Sequence, residues 1–407
     1  PKKKPSRHEG KMNMKIKTLT IEGFRSFKKT IWSPGVLNLI IGPNGSGKSN
    51  LLSFLEFISI SAKGKLGKHI QSQGGMESLV WDGTTLSIGF VLETEAENTL
   101  APESYSLELS RLGFGNTYKI VKESLINSYK LRLKTEKNPF KFLERASQKA
   151  VIFDESENTF TTPEEFVSEE ESLLSIASGP FFTLNHYIPP FQKALASIVV
   201  YQNLYTGKDA PIRHPVVSRV EKTVDPDGQN LVSVLHTLYT GNRDFKNDIN
   251  AAMQTAFGDD FEELVFAPAS DQKIQMRIRW KSLKREQSAA ELSDGTLRFL
   301  FLLTVFASPS LPSLIAIDEP ETGLHPSMLP IVAEYATEAA TRSQIVLTTH
   351  SPQFLEAFSD NPPVTTVTQW ENGETILHTL KGDDLSYWLQ EYSLGSLFQS
   401  GELEQMR

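Results

Sequence analysis

Apolar residues recur along the chain with two spacings, one typical of strands and the other typical of helices. From Met14 onward they alternate with polar residues, which predicts a first strand. An apolar run at 36–41 leads into a glycine-rich segment, and helix-like spacing follows at 50–60. Strands and helices are predicted again near the end of the chain: a helix at 297–306, a strand at 313–318, a helix at 329–340 and a strand at 344–349. This alternation favours a sheet that helices cover on both faces.

Between about residues 100 and 290 the pattern changes to mixed strand and helix signals, with prolines and an acidic run near Glu164 to Glu171. We therefore predict three parts: a flexible basic head at 1–13, a discontinuous core built from 14–100 and 290–407, and an inserted middle lobe at 101–289. The charge of the head is typical of a solubilising tail, and contact with phosphate is the alternative.

The composition excludes several classes of protein. Hydrophobic residues make up 39% and charged residues 22% of the 407 positions, so the chain can bury a core and is not wholly disordered. No stretch is long and apolar enough to predict a membrane span. The absence of cysteine excludes disulfide scaffolds and cysteine nucleophiles and fits a reducing cytoplasm, where we expect the protein. A net charge of −8 argues against a protein that coats nucleic acid non-specifically.

The segment from Gly42 to Ser49 matches the phosphate-loop pattern G-x-x-x-x-G-K-[ST] at every fixed position. Its glycines let successive backbone N–H groups face a phosphate, and the following helix presents its positive N terminus. Lys48 can reach the β- and γ-phosphates, and the Ser49 hydroxyl can hold Mg²⁺. The loop alone leaves kinases, GTPases, helicases and transport ATPases open. The predicted nucleotide-binding residues here are Asn44, Gly45, Ser46, Gly47, Lys48, Ser49 and Asn50.

Two later strands end in residues that can act on a bound phosphate. The predicted strand at 313–318 ends in Asp318 and Glu319, which places one carboxylate toward Mg²⁺ and the other beside the γ-phosphate, where it can polarise water. The next predicted strand ends at His350. A single histidine is more often structural, but this position puts it at the sheet edge where ligands of α/β proteins bind.

Ser293 and Gly295 precede the apolar helix at 297–306. An N-cap is the simpler explanation of Ser293. Free N–H groups at the start of a helix also form an anion site, which would be useful if two subunits faced each other.

Four motifs therefore follow one another: the phosphate loop, Leu-Ser-Asp-Gly-Thr, Ile-Asp-Glu-Pro and Thr-Thr-His-Ser. Two further stretches, Ile-Glu-Gly-Phe-Arg-Ser-Phe from residue 21 and Glu-Pro-Glu-Thr-Gly-Leu-His-Pro from residue 319, accompany them. The set resembles the ABC-type ATPase heads of the RecF, SMC and OLD-like superfamily. The resemblance covers about the first and last hundred residues. It implies an α/β P-loop NTPase fold with a mainly parallel sheet and an inserted α+β or helical lobe.

The resemblance also implies a head-to-head homodimer that holds two ATP molecules with Mg²⁺. Lys48 and Ser49 would bind phosphate and metal, Asp318 would support the metal, and Glu319 would be the catalytic base. His350 would be the switch histidine. Ser293 and Gly295 would complete the partner's site in trans.

One departure from the family pattern concerns the signature, which usually reads Leu-Ser-Gly-Gly-Gln. Here Asp294 and Thr296 replace a glycine and the glutamine. A carboxylate near phosphate is unfavourable unless it points away or is paired, so we expect slow or gated hydrolysis. Gln71 and Gln73 are both candidates for the Mg²⁺-sensing glutamine of such heads, and Arg25 is a further candidate for nucleotide contact.

Absent features narrow the subfamily. The missing membrane span disfavours transport, and Ser293 follows Ser49 by only 244 positions, which leaves too little chain for a long SMC arm. Only 57 residues follow His350, too few for the Toprim-type nuclease domain of OLD-like proteins. The chain thus resembles a stand-alone AAA family ATPase, as in prokaryotic anti-phage systems.

Basic and apolar residues alternate on two predicted strands, around Lys130, Arg132 and Lys134 and around Arg277, Arg279 and Lys281. These strands could contact phosphate, although the solvent face of an amphipathic strand is the favoured interpretation.

Two functions remain open. In the favoured one, an ATP-driven dimer, alone or in a larger assembly, senses a trigger and controls or scaffolds a separate effector such as a nuclease in anti-phage defence. In the alternative, the ATPase acts directly on DNA in recombination or repair.

Overall fold

The computed structural model describes residues 14–95, 101–113, 117–129, 137–146, 149–162, 168–178, 185–380 and 392–405. The predicted head at 1–13 and the basic stretch at 130–134 lie outside these residues.

Strands and helices are numbered separately along the chain. The strands are β1 (Ile16–Phe24), β2 (Phe27–Trp32), β3 (Leu37–Ile41), β4 (Ser87–Thr94), β5 (Ser104–Arg111), β6 (Tyr118–Asn127), β7 (Phe140–Ala146), β8 (Lys149–Asp154), β9 (Thr159–Thr161), β10 (Val199–Tyr201), β11 (Val216–Val217), β12 (Phe261–Ala269), β13 (Lys273–Trp280), β14 (Gln287–Ser288), β15 (Leu314–Ile317), β16 (Gln344–Thr348), β17 (Val364–Glu371) and β18 (Glu374–Thr379). The α-helices are α1 (Lys48–Ala62), α2 (Leu66–Ser72), α3 (Met76–Leu79), α4 (Ile188–Ala196), α5 (Leu231–Gly241), α6 (Arg243–Phe257), α7 (Asp294–Ala307), α8 (Leu329–Ala340), α9 (Pro352–Glu356), α10 (Leu394–Gln399) and α11 (Glu402–Gln405).

The chain divides into two compact units. The first contains Pro1–Ser33 and Phe54–Ile198, and the second contains Pro34–Ser53 and Val199–Arg407. This division differs from the predicted boundaries, because backbone pairing joins β1 and β2 to β4 and β5, which belong to different predicted parts. The predicted three-part organisation itself stays a prediction.

The first unit is built on an antiparallel sheet of eight strands in the order β2-β1-β4-β5-β6-β7-β8-β9. Apolar side chains alternate along its strands, as expected when only one face of a sheet is buried. Aromatic rings fill that face, beginning with an edge-on contact of 4.9 Å between the ring centres of Phe24 and Phe54. Phe90 and Tyr105 extend this cluster.

The second unit is built on a six-stranded sheet in the order β10-β15-β16-β3-β17-β18. Adjacent strands of this sheet pair in parallel, except that β18 pairs antiparallel with β17. Every residue of β3, β15 and β16 is buried, which explains why apolar residues fill most of their positions instead of every second one. The predicted mainly parallel sheet is therefore confirmed, and its carboxyl edge collects the ends of β3, β15 and β16.

A smaller sheet, β11-β13-β12 with β14 paired to β13, belongs to the same unit. Helices α5, α6, α7 and α8 contribute to one apolar core with the strands of this unit. None of the helices in the described parts of the chain is long and apolar enough to cross a membrane.

Candidate functional site

The phosphate loop joins the end of β3 to the start of α1. The Lys48 ammonium is buried and donates hydrogen bonds to the carbonyls of Gly42 at 2.7 Å and Pro43 at 3.0 Å. Asn44 and Gly45 are exposed at the tip of the loop. The loop therefore keeps its lysine folded against its own backbone, with the tip open to solvent.

Two buried threonines of the β17–β18 hairpin hold this loop from the side. The Thr375 hydroxyl donates to the Ser46 carbonyl at 2.8 Å, and the hydroxyls of Thr368 and Ser46 share a short hydrogen bond. Gly47 has a φ of +111°, and a Cβ at that position would overlap the Thr375 side chain. Sequence reasoning missed these threonines, because they lie more than 320 residues from the loop.

Ser49 and Asp318 lie together at the carboxyl edge of the sheet. The Ser49 hydroxyl donates to Oδ2 of Asp318 at 3.3 Å. Oδ1 of the same carboxylate accepts from the Thr348 hydroxyl at 2.5 Å, which fixes its orientation. Thr348, at the end of β16, was not identified from the sequence, although it stands two residues before His350.

Glu319 follows Asp318 in a left-handed backbone conformation, with a φ of +45°. Its N–H donates to the Thr348 hydroxyl at 3.0 Å, and its Oε2 accepts from the Thr322 hydroxyl at 3.3 Å. Left-handed backbone is unfavourable for a residue with a Cβ and concentrates at functional sites. Nε2 of His350 lies 3.4 Å from Oε1 of Glu319, so these two predicted residues are neighbours.

Glu321 is a further acidic residue at this edge. Its Oε1 accepts from the Thr349 hydroxyl at 2.5 Å and from the His350 N–H at 3.2 Å, whereas its buried Oε2 has no hydrogen-bond partner. Burial raises the pKa of the Glu321 carboxyl above its ordinary value of 4.5, and the hydrogen bond from Thr349 opposes this. The Glu321 carboxyl thus links the segment after β15 to Thr349 and His350 at the end of β16.

The oxygens of Ser49 and Asp318 fit a Mg²⁺ site. Mg²⁺ takes oxygen ligands at about 2.1 Å in an octahedron, and adjacent ligands of an octahedron of that size lie about 3 Å apart. The 3.3 Å between the Ser49 hydroxyl and the Asp318 carboxylate is close to that spacing. Serine and carboxylate oxygens with substrate phosphate are the usual donor set of this cation in P-loop proteins.

Ser293 caps α7, as its type predicted. Its hydroxyl oxygen accepts from the N–H of Thr296 at 3.0 Å, and its side chain remains exposed. Gly295 packs against backbone, since a Cβ there would lie 2.6 Å from the carbonyl oxygen of Gly323. The signature segment therefore touches the chain four residues beyond Glu319 in its own subunit.

The unusual Asp294 of the signature is paired. Its carboxylate contacts the buried Arg213 guanidinium in a short ion pair. The same guanidinium donates to the carbonyl of Leu292 at 2.7 Å and to that of Thr206 at 2.6 Å. Arg213 therefore balances the charge of Asp294, so the extra carboxylate of the signature is paired. The same side chain also links the segment at Thr206 to the segment at Leu292. Nothing local to Arg213 in the sequence marks this role.

The Mg²⁺-sensing glutamine was predicted at Gln71 or Gln73, both of which belong to the first unit. There Gln73 accepts a hydrogen bond from Arg25 at 2.7 Å. Within the second unit, Gln202 follows β10, the neighbour of β15, and its amide donates to the Ser53 hydroxyl on α1 at 3.4 Å. The sequence pattern that could have indicated Gln202 is an apolar strand that ends in a polar residue, as at Asp318 and His350.

The two arginines of β13 face carboxylates. Arg279 donates to Glu263 at 2.5 Å and to Glu286 at 2.7 Å, and Arg277 lies 3.6 Å from Glu286. Two of the three basic residues predicted on this strand, Arg277 and Arg279, therefore already face carboxylates.

Known proteins resemble this chain over most of its length. Residues 37–356 match the family described as "AAA domain, putative AbiEii toxin, Type IV TA system". An ATP/GTP phosphatase of Helicobacter pylori is 22% identical over 360 residues, which are 84% of this chain and 86% of that protein.

Two solved SMC heads share the fold. The SmcHead bound to the C-winged helix domain of ScpA has a TM-score of 0.52 at 13% identity, over 91% of this chain and 99% of that one. The Smc head domain with an extended coiled coil, bound to the C-terminal domain of ScpA derived from Pyrococcus furiosus, has a TM-score of 0.52 at 12% identity, over 93% and 99%.

The phosphate loop, the acidic pair and His350 thus meet at one sheet edge, in a fold that this chain shares with SMC ATPase heads. The chain belongs to the AAA-domain family matched by residues 37–356. The predicted resemblance, fold class and ATPase activity are confirmed.

Proposed function

We propose that this ATPase binds ATP with Mg²⁺ at the edge formed by β3, β15 and β16 and uses it to close a homodimer. The observation that carries the proposal is the meeting of Ser49, Asp318, Glu319 and His350 through contacts of 3.3 and 3.4 Å and a shared Thr348. Ser293, exposed at the start of α7, would complete the site of the partner subunit.

The chemistry follows from the positions of the side chains. Lys48 and the N–H groups of the loop would bind the phosphates, and Ser49 and Asp318 would hold Mg²⁺. Bound Mg²⁺ would neutralise charge on the phosphates. The Glu319 carboxylate would accept a proton from the attacking water, and His350, next to that carboxylate, would donate a hydrogen bond to the γ-phosphate. Gln71 and Gln73 stay the predicted candidates for the Mg²⁺-sensing glutamine, and Gln202, which donates to Ser53 on α1, is a further candidate.

We further propose that closure of the dimer controls a separate effector, such as a nuclease, in defence against phage. The family description names a toxin of a toxin–antitoxin system, and both solved heads described above were bound to parts of ScpA. The carboxylate partners of Arg277 and Arg279 on β13 favour a protein partner over direct action on DNA. Action in recombination or repair is the alternative.

Glu319→Gln tests the proposed site. The amide cannot accept the proton from water, so turnover should fall at least about a hundredfold while ATP binding persists. Because the variant binds ATP without hydrolysing it, it should accumulate as a dimer. Light scattering coupled to size-exclusion chromatography would detect this dimer.

Two other variants serve as controls. Glu262→Gln removes the same charge from an exposed position on β12 and should keep wild-type turnover. Lys48→Ala should lose nucleotide affinity itself. Wild-type turnover in Glu319→Gln would contradict the assignment of the base, and unchanged affinity in Lys48→Ala would contradict the assignment of the loop.

A further inference from the structure

An exposed tryptophan lies beside the phosphate loop. Trp370, near the end of β17, is 55% exposed, which is unusual for the largest apolar side chain. β17 pairs in parallel with β3 up to the register of Val367 with Ile41. The last residues of β17 therefore run on past the end of β3, alongside the loop.

The indole is on the face of the hairpin that touches the loop. Residues two apart on a strand share a face, and so do direct partners across an antiparallel pair. Trp370 stands two residues after Thr368 and is paired with Thr375. Both threonines bond to Ser46.

The hairpin holds Trp370 in place. Glu371 pairs with Glu374 across a two-residue turn, in which Asn372 and Gly373 have positive φ values of 51° and 86°. This is the turn that matches the natural twist of a tight hairpin. The carboxylates that flank the turn disfavour phosphate there, whereas an uncharged ring is compatible with them.

The order of strands gives the direction in which a nucleotide would lie. Asp318 and Glu319 are on one side of β3, two strands away, and β17 is on the other side. With strands about 4.8 Å apart, β17 lies about 14 Å from β15. If the γ-phosphate faces the acidic pair, the α-phosphate and the nucleoside extend toward β17.

From these positions we propose that Trp370 stacks on the base of the bound nucleotide and supplies the part of the affinity that phosphate does not. This inference rests on the proposed function and adds the residue that recognises the base. Aromatic stacking accepts any base with a π-face, so Trp370 would favour purines through their larger ring area rather than through hydrogen bonds.

The test compares ADP with inorganic pyrophosphate, because both occupy the phosphate loop and only ADP has a base. Calorimetry with Mg²⁺ should show that Trp370→Ala weakens ADP binding about tenfold, equivalent to about 1.4 kcal/mol. Pyrophosphate affinity should change less than about twofold. Trp370→Phe, which keeps a ring, should retain most of the ADP affinity.

Thr375→Val is the control for a disturbed loop, since it removes the hydrogen bond to Ser46. It should lower the affinities for ADP and for pyrophosphate by the same factor. The proposal would be overturned if Trp370→Ala lowered the affinities for ADP and pyrophosphate by the same factor, or if it left the ADP affinity unchanged. Unchanged ADP affinity together with lost ATP-dependent dimerisation would instead assign the indole to a contact between subunits. If wild type and Lys48→Ala bound neither ligand, the proposed nucleotide site itself would fail.

Discussion

A single hydroxyl orients both acids of the candidate site. Thr348 donates to Asp318 and accepts from the N–H of Glu319, so one side chain fixes the Asp318 carboxylate and the strained backbone beside it. A left-handed residue with a Cβ costs about 1–3 kcal/mol and persists only where its surroundings hold it. The position of Glu319 is therefore set by a neighbouring strand.

Glu321 makes the stability of the protein depend on pH in a defined direction. Its pKa is raised by burial, so the folded chain keeps the proton to a higher pH than the unfolded chain does. As pH rises above the ordinary value of 4.5, the unfolded state therefore releases this proton first and becomes relatively more favourable. Wild type should lose stability over this range relative to Glu321→Gln, which cannot titrate.

Denaturant unfolding of both proteins at several pH values between 4 and 7 would measure this difference. The gap in unfolding free energy should move in favour of the glutamine variant as pH rises. A gap that stays constant over the range would show that Glu321 does not carry the effect.

At the scale of elements, Arg213 connects the segment before α5 with the segment that leads into α7. Its guanidinium bonds to carbonyls of both segments and to Asp294. Next to Asp294, in the first turn of α7, Gly295 packs against the backbone of Gly323. The N terminus of α7 is thus held between Arg213 and the segment that follows the acidic pair.

Arg213→Ala should lower the free energy of unfolding by about 3 kcal/mol, because buried carbonyls lose their donor. Turnover should fall as well, whereas ADP affinity should remain, since the phosphate loop is separate from these contacts of Arg213. Denaturation curves and calorimetry would measure both effects. Asp294→Asn, which changes the exposed partner of Arg213, is the matched control and should cost much less stability. An equal loss in the two variants would mean that the carbonyl bonds contribute little.

Over the whole molecule, the charges favour a protein partner. The net charge is −8, and both arginines of β13 lie within ion-pair distance of glutamates. A duplex would have to displace these carboxylates before its phosphates could replace them.

Steady-state ATP turnover should therefore change less than about twofold when duplex DNA is added at low salt. Measurements over a range of salt concentrations would show whether any binding follows counterion release. Strong stimulation by DNA that disappears as salt rises would favour the repair alternative over control of an effector.

Local patterns allowed much of the second unit to be predicted. The helix predicted at 329–340 is observed as Leu329–Ala340, and the strand predicted at 344–349 as Gln344–Thr348. Ser293 was predicted to cap a helix and does so. In these cases the determining interactions lie within a few residues, so spacing and capping chemistry are visible in the sequence.

The interactions that were missed join distant parts of the chain. Arg213 meets Asp294 across 81 residues, and Gln202 meets Ser53 across 149. The pairing of β4 with β5 likewise joins residues of the predicted core to residues of the predicted lobe in one sheet. No periodicity reports such contacts, because they depend on which surfaces the folded backbone brings together.

The threonines of the β17–β18 hairpin have a consequence for the order in which the protein can fold. A ribosome makes the phosphate loop more than 320 residues before Thr368 and Thr375, which complete its support. Until β17 has been made, β3 lacks one of its two neighbours, and its apolar run is an open edge that invites wrong pairing. Release of a nascent chain that stops before β17 should therefore yield an aggregation-prone protein without a formed nucleotide site.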